Sequence, residues 1–250
     1  MDISGNTIFI PGATSGIGLA LALALSAKDN TVIVGGRRTA LLDEIRAQHG
    51  LETVVIDTSD PTSITDATND VVARHPDLNV LVAMAGIMRT EDWRNPAFLA
   101  DAEEIVTTNL LGPIRLIAAL TEHLQSRADA TIMTVSSGLA FAPLRVTPTY
   151  NATKAAIHML SESIRLQYAG TSVKVVELEP PAVATDLMPG QRESSFAMPL
   201  DEFISEVMSL IEAQPQASEI QVERVKFLRY GEARGDYAHV VETLNRLDPH

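Results

Sequence analysis

Tyr150 and Lys154 are the two residues of this chain whose types and spacing most clearly suggest chemistry. They lie four positions apart, so on a helix both side chains project from one face, one turn apart. An ammonium group beside a phenol favours the phenolate, and we therefore expect Lys154 to lower the pKa of Tyr150 toward neutrality. Such a pair could donate and accept protons.

Two further features accompany this pair, whose spacing alone is common by chance. Ser137 lies thirteen residues before Tyr150 and follows the apolar run 131–135. The segment Gly12–Gly18, which we call the glycine turn, follows the first apolar run. Its glycines permit positive φ angles and close backbone approach, as a pyrophosphate site at a helix N-terminus requires. A purely structural turn is the alternative, but the combination predicts nicotinamide-dependent carbonyl or alcohol chemistry.

The elements that must position these residues alternate between short apolar strands and helices. Continuously apolar strands of this kind indicate a parallel sheet covered on both faces. The sequence therefore predicts an α/β fold, a single Rossmann-type doubly wound parallel sheet, in one domain over residues 1–250. The expected strands are 7–10, 31–34, 53–56, 80–84, 131–135 and 173–176, with a possible last strand at 219–222. The expected helices are 17–27, 39–50 capped by Thr39, one starting at Asp60-Pro61, 100–126, one from Tyr150 to Tyr168, and 236–247.

Composition excludes several classes of function. The formal net charge of −13 disfavours nucleic acid and anionic membranes as partners. No apolar run reaches membrane-spanning length, and the first residues lack an export signal, so we expect a cytoplasmic protein. The absence of cysteine excludes disulfides and thiolate catalysis. None of the six histidines (His49, His75, His123, His158, His239 and His250) has ligand spacing with another, so we expect no metal.

The end of the second strand predicts the choice of cofactor. A site for NAD usually has an acidic residue here, whereas this chain offers Arg37 and Arg38. Arginines suit the 2′-phosphate of NADP(H), with a solvated basic loop as the alternative. Asp57 follows the third strand, where an adenine could be met, and a plain turn aspartate is nearly as plausible.

On these residues the chain resembles the short-chain dehydrogenase/reductase family over nearly its whole length. Segments 180–185, 228–230 and 232–235 resemble the DltE-like oxidoreductase branch of that family. The family's cofactor glycines correspond to Gly12, Gly16 and Gly18, and its carboxamide-binding segment corresponds to Val183 and Thr185. Its active-site asparagine corresponds to Asn109 and its catalytic serine to Ser137. Its catalytic tyrosine and lysine correspond to Tyr150 and Lys154.

The resemblance implies a role for each catalytic residue. Tyr150 exchanges a proton with the carbonyl oxygen, and Ser137 hydrogen-bonds that oxygen. Lys154 lowers the pKa of Tyr150 and binds the nicotinamide ribose, while Asn109 holds a water that relays protons to Lys154. The expected NADP(H)-binding residues are Gly12, Thr14, Ser15, Gly16, Ile17, Gly18, Arg37, Arg38, Asp57, Thr58, Ala85, Gly86, Tyr150, Lys154, Pro180, Val183 and Thr185.

Three positions depart from the family's pattern. Pro11 replaces a common threonine, Ala83-Met84 replaces an asparagine pair, and Pro181 replaces a common glycine. The threonine and asparagines tie two strand ends together in the family. Losing both partners of a hydrogen bond can be nearly neutral, so we interpret the first two changes as compensating, with Pro11 at the end of its strand.

The resulting hypothesis is a reductase of ketones or aldehydes that uses NADP(H) and is reversible as an alcohol dehydrogenase. The alternatives are a non-catalytic, NADP(H)-binding regulatory protein and a structural or assembly protein. Segment 181–199, rich in proline, glycine and serine, is expected to be a mobile substrate loop. Relatives suggest a homodimer or homotetramer packed through 100–126 and 155–168. The expected pocket for a small apolar substrate is lined by Leu139, Phe141, Leu144, Val146, Pro181, Met188 and Met198.

Overall fold

The computed structural model describes residues 1–247, which form a seven-stranded sheet in the order β3-β2-β1-β4-β5-β6-β7. Every strand pairing is parallel, and helices cover both faces, so the predicted fold class is confirmed. The strands are β1 (Thr7–Pro11), β2 (Thr31–Gly36), β3 (Glu52–Val55), β4 (Val80–Ala83), β5 (Ala130–Val135), β6 (Val173–Leu178) and β7 (Glu219–Ile220).

The two faces of the sheet carry separate hydrophobic cores because successive strand residues point to opposite sides. Ile8 and Ile10 of β1 contribute to the core under helices α1 (Gly16–Ser26) and α7 (Leu200–Ala213). Phe9, between them, contributes to the core under helices α3 (Pro61–Arg74) and α5 (Gly112–Gln125). The helices are α1 (Gly16–Ser26), α2 (Thr39–His49), α3 (Pro61–Arg74), α4 (Phe98–Val106), α5 (Gly112–Gln125), α6 (Pro148–Gln167), α7 (Leu200–Ala213), α8 (Lys226–Arg229), α9 (Gly231–Arg234) and α10 (Tyr237–Leu247).

Local signals account for two of the helix ends. The Asp60 side chain accepts a hydrogen bond from the Thr62 amide, as expected for the cap before Pro61. Gly50 ends α2 with a φ of 67°. Thr39 is the first helical residue and not the predicted cap, because Arg38 occupies that position with extended backbone.

The predicted helix 100–126 differs most from the structure. It is divided into α4 and α5 by a π-helical turn, Thr107–Leu111, at whose centre Asn109 is buried. Pro113 is the sequence signal that could have indicated this interruption, because proline has no amide hydrogen for the helical bond to residue 109. Single π turns inside α-helices frequently occur at functional sites.

The chain after residue 199 adds structure that the sequence reasoning missed. Helix α7 has the apolar spacing of an amphipathic helix, with five buried residues at Phe203, Ile204, Val207, Met208 and Ile211. We call residues 221–247 the C-terminal tail; its last helix, α10, agrees with the predicted closing helix. Among the described helices, none combines the length and apolar composition needed to cross a membrane. His250, one of the six histidines, lies outside the described residues.

Candidate active site

The glycine turn connects the end of β1 to the start of α1 at the carboxyl edge of the sheet. Gly12 has a φ of 83°, and a Cβ atom on it would lie 2.7 Å from the Cα and Cβ of Ala85. A Cβ on Gly18 would lie 2.8 Å from the Cα of Ala13. These positions therefore require glycine, and the turn leaves the N-terminus of α1 open for a pyrophosphate.

The close approach of Gly12 to Ala85 brings the ends of β1 and β4 together. Pro11 is the last residue of β1, as expected, and pairs with Gly35. The interpretation of the changes at Pro11 and Ala83-Met84 as compensating stays a prediction.

Other predicted cofactor residues border the same edge. The Arg38 guanidinium donates a 2.8 Å hydrogen bond to Oγ1 of Thr14, which ties the end of β2 to the glycine turn. Arg37 lies 3.9 Å from Asp57, with its side chain 63% exposed. Burial acts to raise the pKa of Asp57, but hydrogen bonds from Ser59 and the charge of Arg37 outweigh it, so that pKa is lowered.

The remaining members of the predicted cofactor set lie at the strand ends and the loop after β6. Thr185 covers the turn, since a Cβ on Gly16 would lie 3.5 Å from its side chain. Val183 is buried and forms a bridge with Met198. The carbonyl of Pro180 accepts a 2.9 Å bond from the Gly138 amide beside Ser137. Ser15 precedes α1 without a side-chain capping bond, and Ile17 packs against the core. Thr58 is buried after β3, and Gly86 lies against Asn109.

Asn109 clamps the loop after β4 to α6. Its Oδ1 accepts a 2.8 Å bond from the Ile87 amide, and its Nδ2 donates a 2.8 Å bond to the Ile87 carbonyl. Nδ2 also donates a 3.4 Å bond to Oγ1 of Thr153, the neighbour of Lys154. The side-chain amide is therefore bonded to protein groups, and the water relay through Asn109 stays a prediction.

Ser137, Tyr150 and Lys154 come together as predicted. Tyr150 and Lys154 are 6% and 5% exposed, and the Lys154 Nζ lies 5.5 Å from the centre of the Tyr150 ring. The Ser137 side chain lies close enough to Tyr150 to favour its phenolate, and its Oγ accepts a 3.1 Å hydrogen bond from the Leu139 amide. Nζ of Lys154 donates a 2.8 Å bond to the carbonyl of Val135, the last residue of β5.

The electrostatics of this group differ from the prediction. Burial raises the pKa of Tyr150 to about 12, and the neighbouring Ser137 side chain opposes the rise only in part. Burial likewise lowers the pKa of Lys154 to about 8, against the opposing charge of Glu177. The prediction that the pKa of Tyr150 is lowered toward neutrality is wrong, because burial disfavours the phenolate and the net shift is upward. Tyr150 is therefore a protonated donor at neutral pH.

The hydroxyls of Ser137 and Tyr150 face an apolar cavity of about 330 Å³. Four of the predicted lining residues contact it, namely Leu139, Leu144, Pro181 and Met188. Phe141, Val146 and Met198 do not, since Phe141 packs on Arg229 and His158 while Met198 joins the main core. Further lining residues, which sequence reasoning missed, include Met88, Leu187, Phe196, Arg224, Phe227, Leu228 and Leu244.

A buried charge cluster lies behind Lys154 and consists of His158, Glu177, Glu179 and Arg229. His158 Nδ1 is 3.0 Å from both carboxylate oxygens of Glu177, and Arg229 Nε is 3.4 Å from Oε2 of Glu179. Ligand-type atoms of the first three residues lie within 4.8 Å of one another, a grouping that sequence spacing did not indicate. The Arg229 guanidinium supplies the positive charge there, and we assign no metal to the cluster.

Comparisons with known proteins agree with this geometry. The model of the short chain dehydrogenase family matches residues 6–195. The oxidoreductase DltE of Bacillus subtilis (strain 168) is 36% identical over 252 residues, which cover 98% of each chain. Two solved structures share the fold at a TM-score of 0.82. A short-chain dehydrogenase from Streptomyces avermitilis is 24% identical and covers 95% of this chain and 97% of its own. A Burkholderia cenocepacia J2315 short chain dehydrogenase in complex with NADP is 22% identical, with coverages of 96% and 99%. The chain therefore belongs to the short-chain dehydrogenase/reductase family of oxidoreductases.

Proposed function

We propose that this protein is an NADP(H)-dependent reductase of small apolar ketones or aldehydes, which also oxidises the corresponding alcohols. The observation that carries the proposal is the position of Ser137 and Tyr150 in the wall of the apolar cavity, with Lys154 buried one turn behind. The nicotinamide, when bound, supplies the hydride. Tyr150 donates its proton to the carbonyl oxygen and so acts as the general acid.

Several residues support the choice of NADP(H). Arg37 and Arg38 are exposed at the end of β2, and Arg38 already contacts Thr14 of the glycine turn. A guanidinium can bind a 2′-phosphate through charge-assisted hydrogen bonds. The Burkholderia cenocepacia relative in complex with NADP gives a precedent in the same fold.

A panel of ketones and aldehydes, followed by the loss of NADPH absorbance, tests the proposed activity. Tyr150→Phe should fold and bind NADPH but lose about 10²–10⁴-fold in rate, because the general acid is removed. Tyr168→Phe is a matched control, since Tyr168 ends the same helix and its hydroxyl contacts Thr121. Wild-type rates in Tyr150→Phe would refute the mechanism. NADPH binding without reduction of any carbonyl would favour the non-catalytic, regulatory alternative.

We also propose that the protein acts in the cytoplasm as a homodimer or homotetramer. Large apolar side chains are exposed on α4 and α6, including Leu99 at 55%, Met159 at 59% and Leu166 at 79%. A groove between these helices is lined by apolar residues such as Trp93, Phe98 and Val106. Exposed apolar surface of this kind marks protein–protein contacts. Sedimentation equilibrium of the purified protein gives the number of subunits, and a monomer would contradict the proposal.

A further inference from the structure

The cavity at the active site is apolar at its buried end and carries one cation at its open end. Tyr150 and Ser137, at the buried end, are 6% and 7% exposed. Arg224 is exposed, and among the lining residues that the structure describes it is the one with a charge. A substrate with its carbonyl at Tyr150 would therefore extend through apolar surroundings toward a guanidinium.

The position of Arg224 is fixed by its neighbours in the C-terminal tail. It lies in the short helical turn Glu223–Val225, which is anchored by the fully buried side chains of Val222 and Val225. Phe227 and Leu228 follow three and four residues later and line the same cavity. A Cβ on Gly138 would lie 2.7 Å from Cδ1 of Leu228, so the tail packs directly against the residue after Ser137.

Arg224 has no counter-charge among the residues that the structure describes. Within residues 1–247, no carboxylate lies within ion-pair distance of the Arg224 side chain, and the guanidinium forms no hydrogen bond. By contrast, Lys226 contacts Glu223 at 2.6 Å, and Arg229 lies 3.4 Å from Glu179. The chain has 32 acidic residues against 19 basic ones, so acidic partners are abundant. An unpaired arginine at the mouth of an apolar cavity is therefore available for an anionic ligand.

We propose that Arg224 binds a carboxylate of the substrate, which is an oxo acid with its carbonyl at Tyr150 and an apolar chain between the two groups. The inference rests on the proposed reductase function and narrows its substrate class. One guanidinium matches the charge of a monoanion and can bind a carboxylate through two parallel hydrogen bonds. A phosphate dianion would need a second cation, and the described lining of the cavity provides none.

Calorimetric titration with octanoate and its methyl ester tests the carboxylate site without turnover, both without cofactor and with NADP⁺ present. Wild type should bind octanoate about tenfold more tightly than the ester. This factor corresponds to the lower end of the free-energy range for a hydrogen bond to a charged group, because Arg224 is exposed. Arg224→Gln should remove this preference. Arg145→Gln is the matched control, since Arg145 is exposed, does not line the cavity, and forms no ion pair or side-chain hydrogen bond within the described residues.

Equal affinities for acid and ester in wild type, absence of octanoate binding, or a preference that survives in Arg224→Gln would each overturn the carboxylate site. Tighter binding of octyl phosphate than of octanoate would overturn the assignment to a monoanion.

Reduction of 7-oxooctanoate and of its methyl ester by NADPH separates this inference from the proposed function. Arg224→Gln should lower kcat/KM for the acid about tenfold more than it lowers kcat/KM for the ester. Efficient reduction of both compounds with equal kcat/KM would overturn the carboxylate site and keep the reductase. If no carbonyl is reduced but octanoate binding still depends on Arg224, the reductase function is refuted and the carboxylate site stands.

Discussion

Replacing Arg37 by alanine should weaken NADPH binding about tenfold and leave NADH binding nearly unchanged. A hydrogen bond to a charged group contributes about 1.5–3 kcal/mol. The Arg37 side chain is 63% exposed, so we take the lower end of that range. About 1.4 kcal/mol corresponds to a tenfold change in affinity.

Arg38→Ala should have a different signature. Because Arg38 holds Oγ1 of Thr14 at 2.8 Å, its loss loosens the glycine turn that NADPH and NADH would share. We therefore expect weaker binding of both cofactors, with the larger loss for NADPH.

Fluorescence titration of both cofactors against wild type, Arg37→Ala and Arg38→Ala measures these effects. Arg94→Ala is the control, because Arg94 is 90% exposed and lies outside the proposed cofactor set. The preference for NADPH should also shrink as ionic strength rises. If wild type binds NADH as tightly as NADPH, the two arginines are a solvated loop and the reasoning fails. A carboxylate introduced by Gly36→Asp is a poor test of the preference for NADPH over NADH, because a Cβ at position 36 would lie 2.4 Å from Cγ2 of Thr14.

Two other predictions concern stability and motion. Burial raises the pKa of Glu179 from 4.5 to about 8, so the native state holds a proton that the unfolded state releases, and stability should fall as pH rises through this window. Urea unfolding measures the free energy of unfolding of wild type and of Glu179→Gln. The stability of wild type relative to Glu179→Gln should fall by up to about 1.4 kcal/mol per pH unit between pH 4.5 and about 8. The control Glu44→Gln, at an exposed site, should show no such trend. Segment 181–199 should gain protection from hydrogen exchange when NADPH and a non-reducible substrate analogue bind, since it contributes to the cavity. Unchanged exchange there would contradict a role as substrate loop.

The sheet and the catalytic group could be predicted because each leaves a local signal. Strands buried on both faces are continuous apolar runs, and the turn after β1 shows its glycines directly. Tyr150 and Lys154 share a helix, so their spacing alone places them together. The pKa of Tyr150 was not predictable in this way, because burial depends on the whole cavity.

Long-range partners explain what the sequence did not reveal. The predicted sixth strand ends at residue 176, before Glu177. In the structure β6 continues to Leu178 because His158 pairs with Glu177 across the fold. The partner lies nineteen residues earlier, and nothing in the local pattern joins the two. The local sequence pattern likewise does not predict that Arg224 lines the cavity, because its position there depends on how the C-terminal tail packs.

The proposed catalytic and cofactor-binding residues lie in one part of the chain, and part of the cavity lining lies in another, the C-terminal tail. The family match ends at residue 195, and every residue proposed for the catalytic group and for NADP(H) lies before that point. Arg224, Phe227, Leu228 and Leu244, which complete the substrate cavity, all lie after it. Substitution of these four residues can therefore alter which molecule fits the cavity, while the residues proposed for the catalytic group and for NADP(H) stay the same. Exchange of these lining residues between related enzymes is a direct route to redesigned specificity.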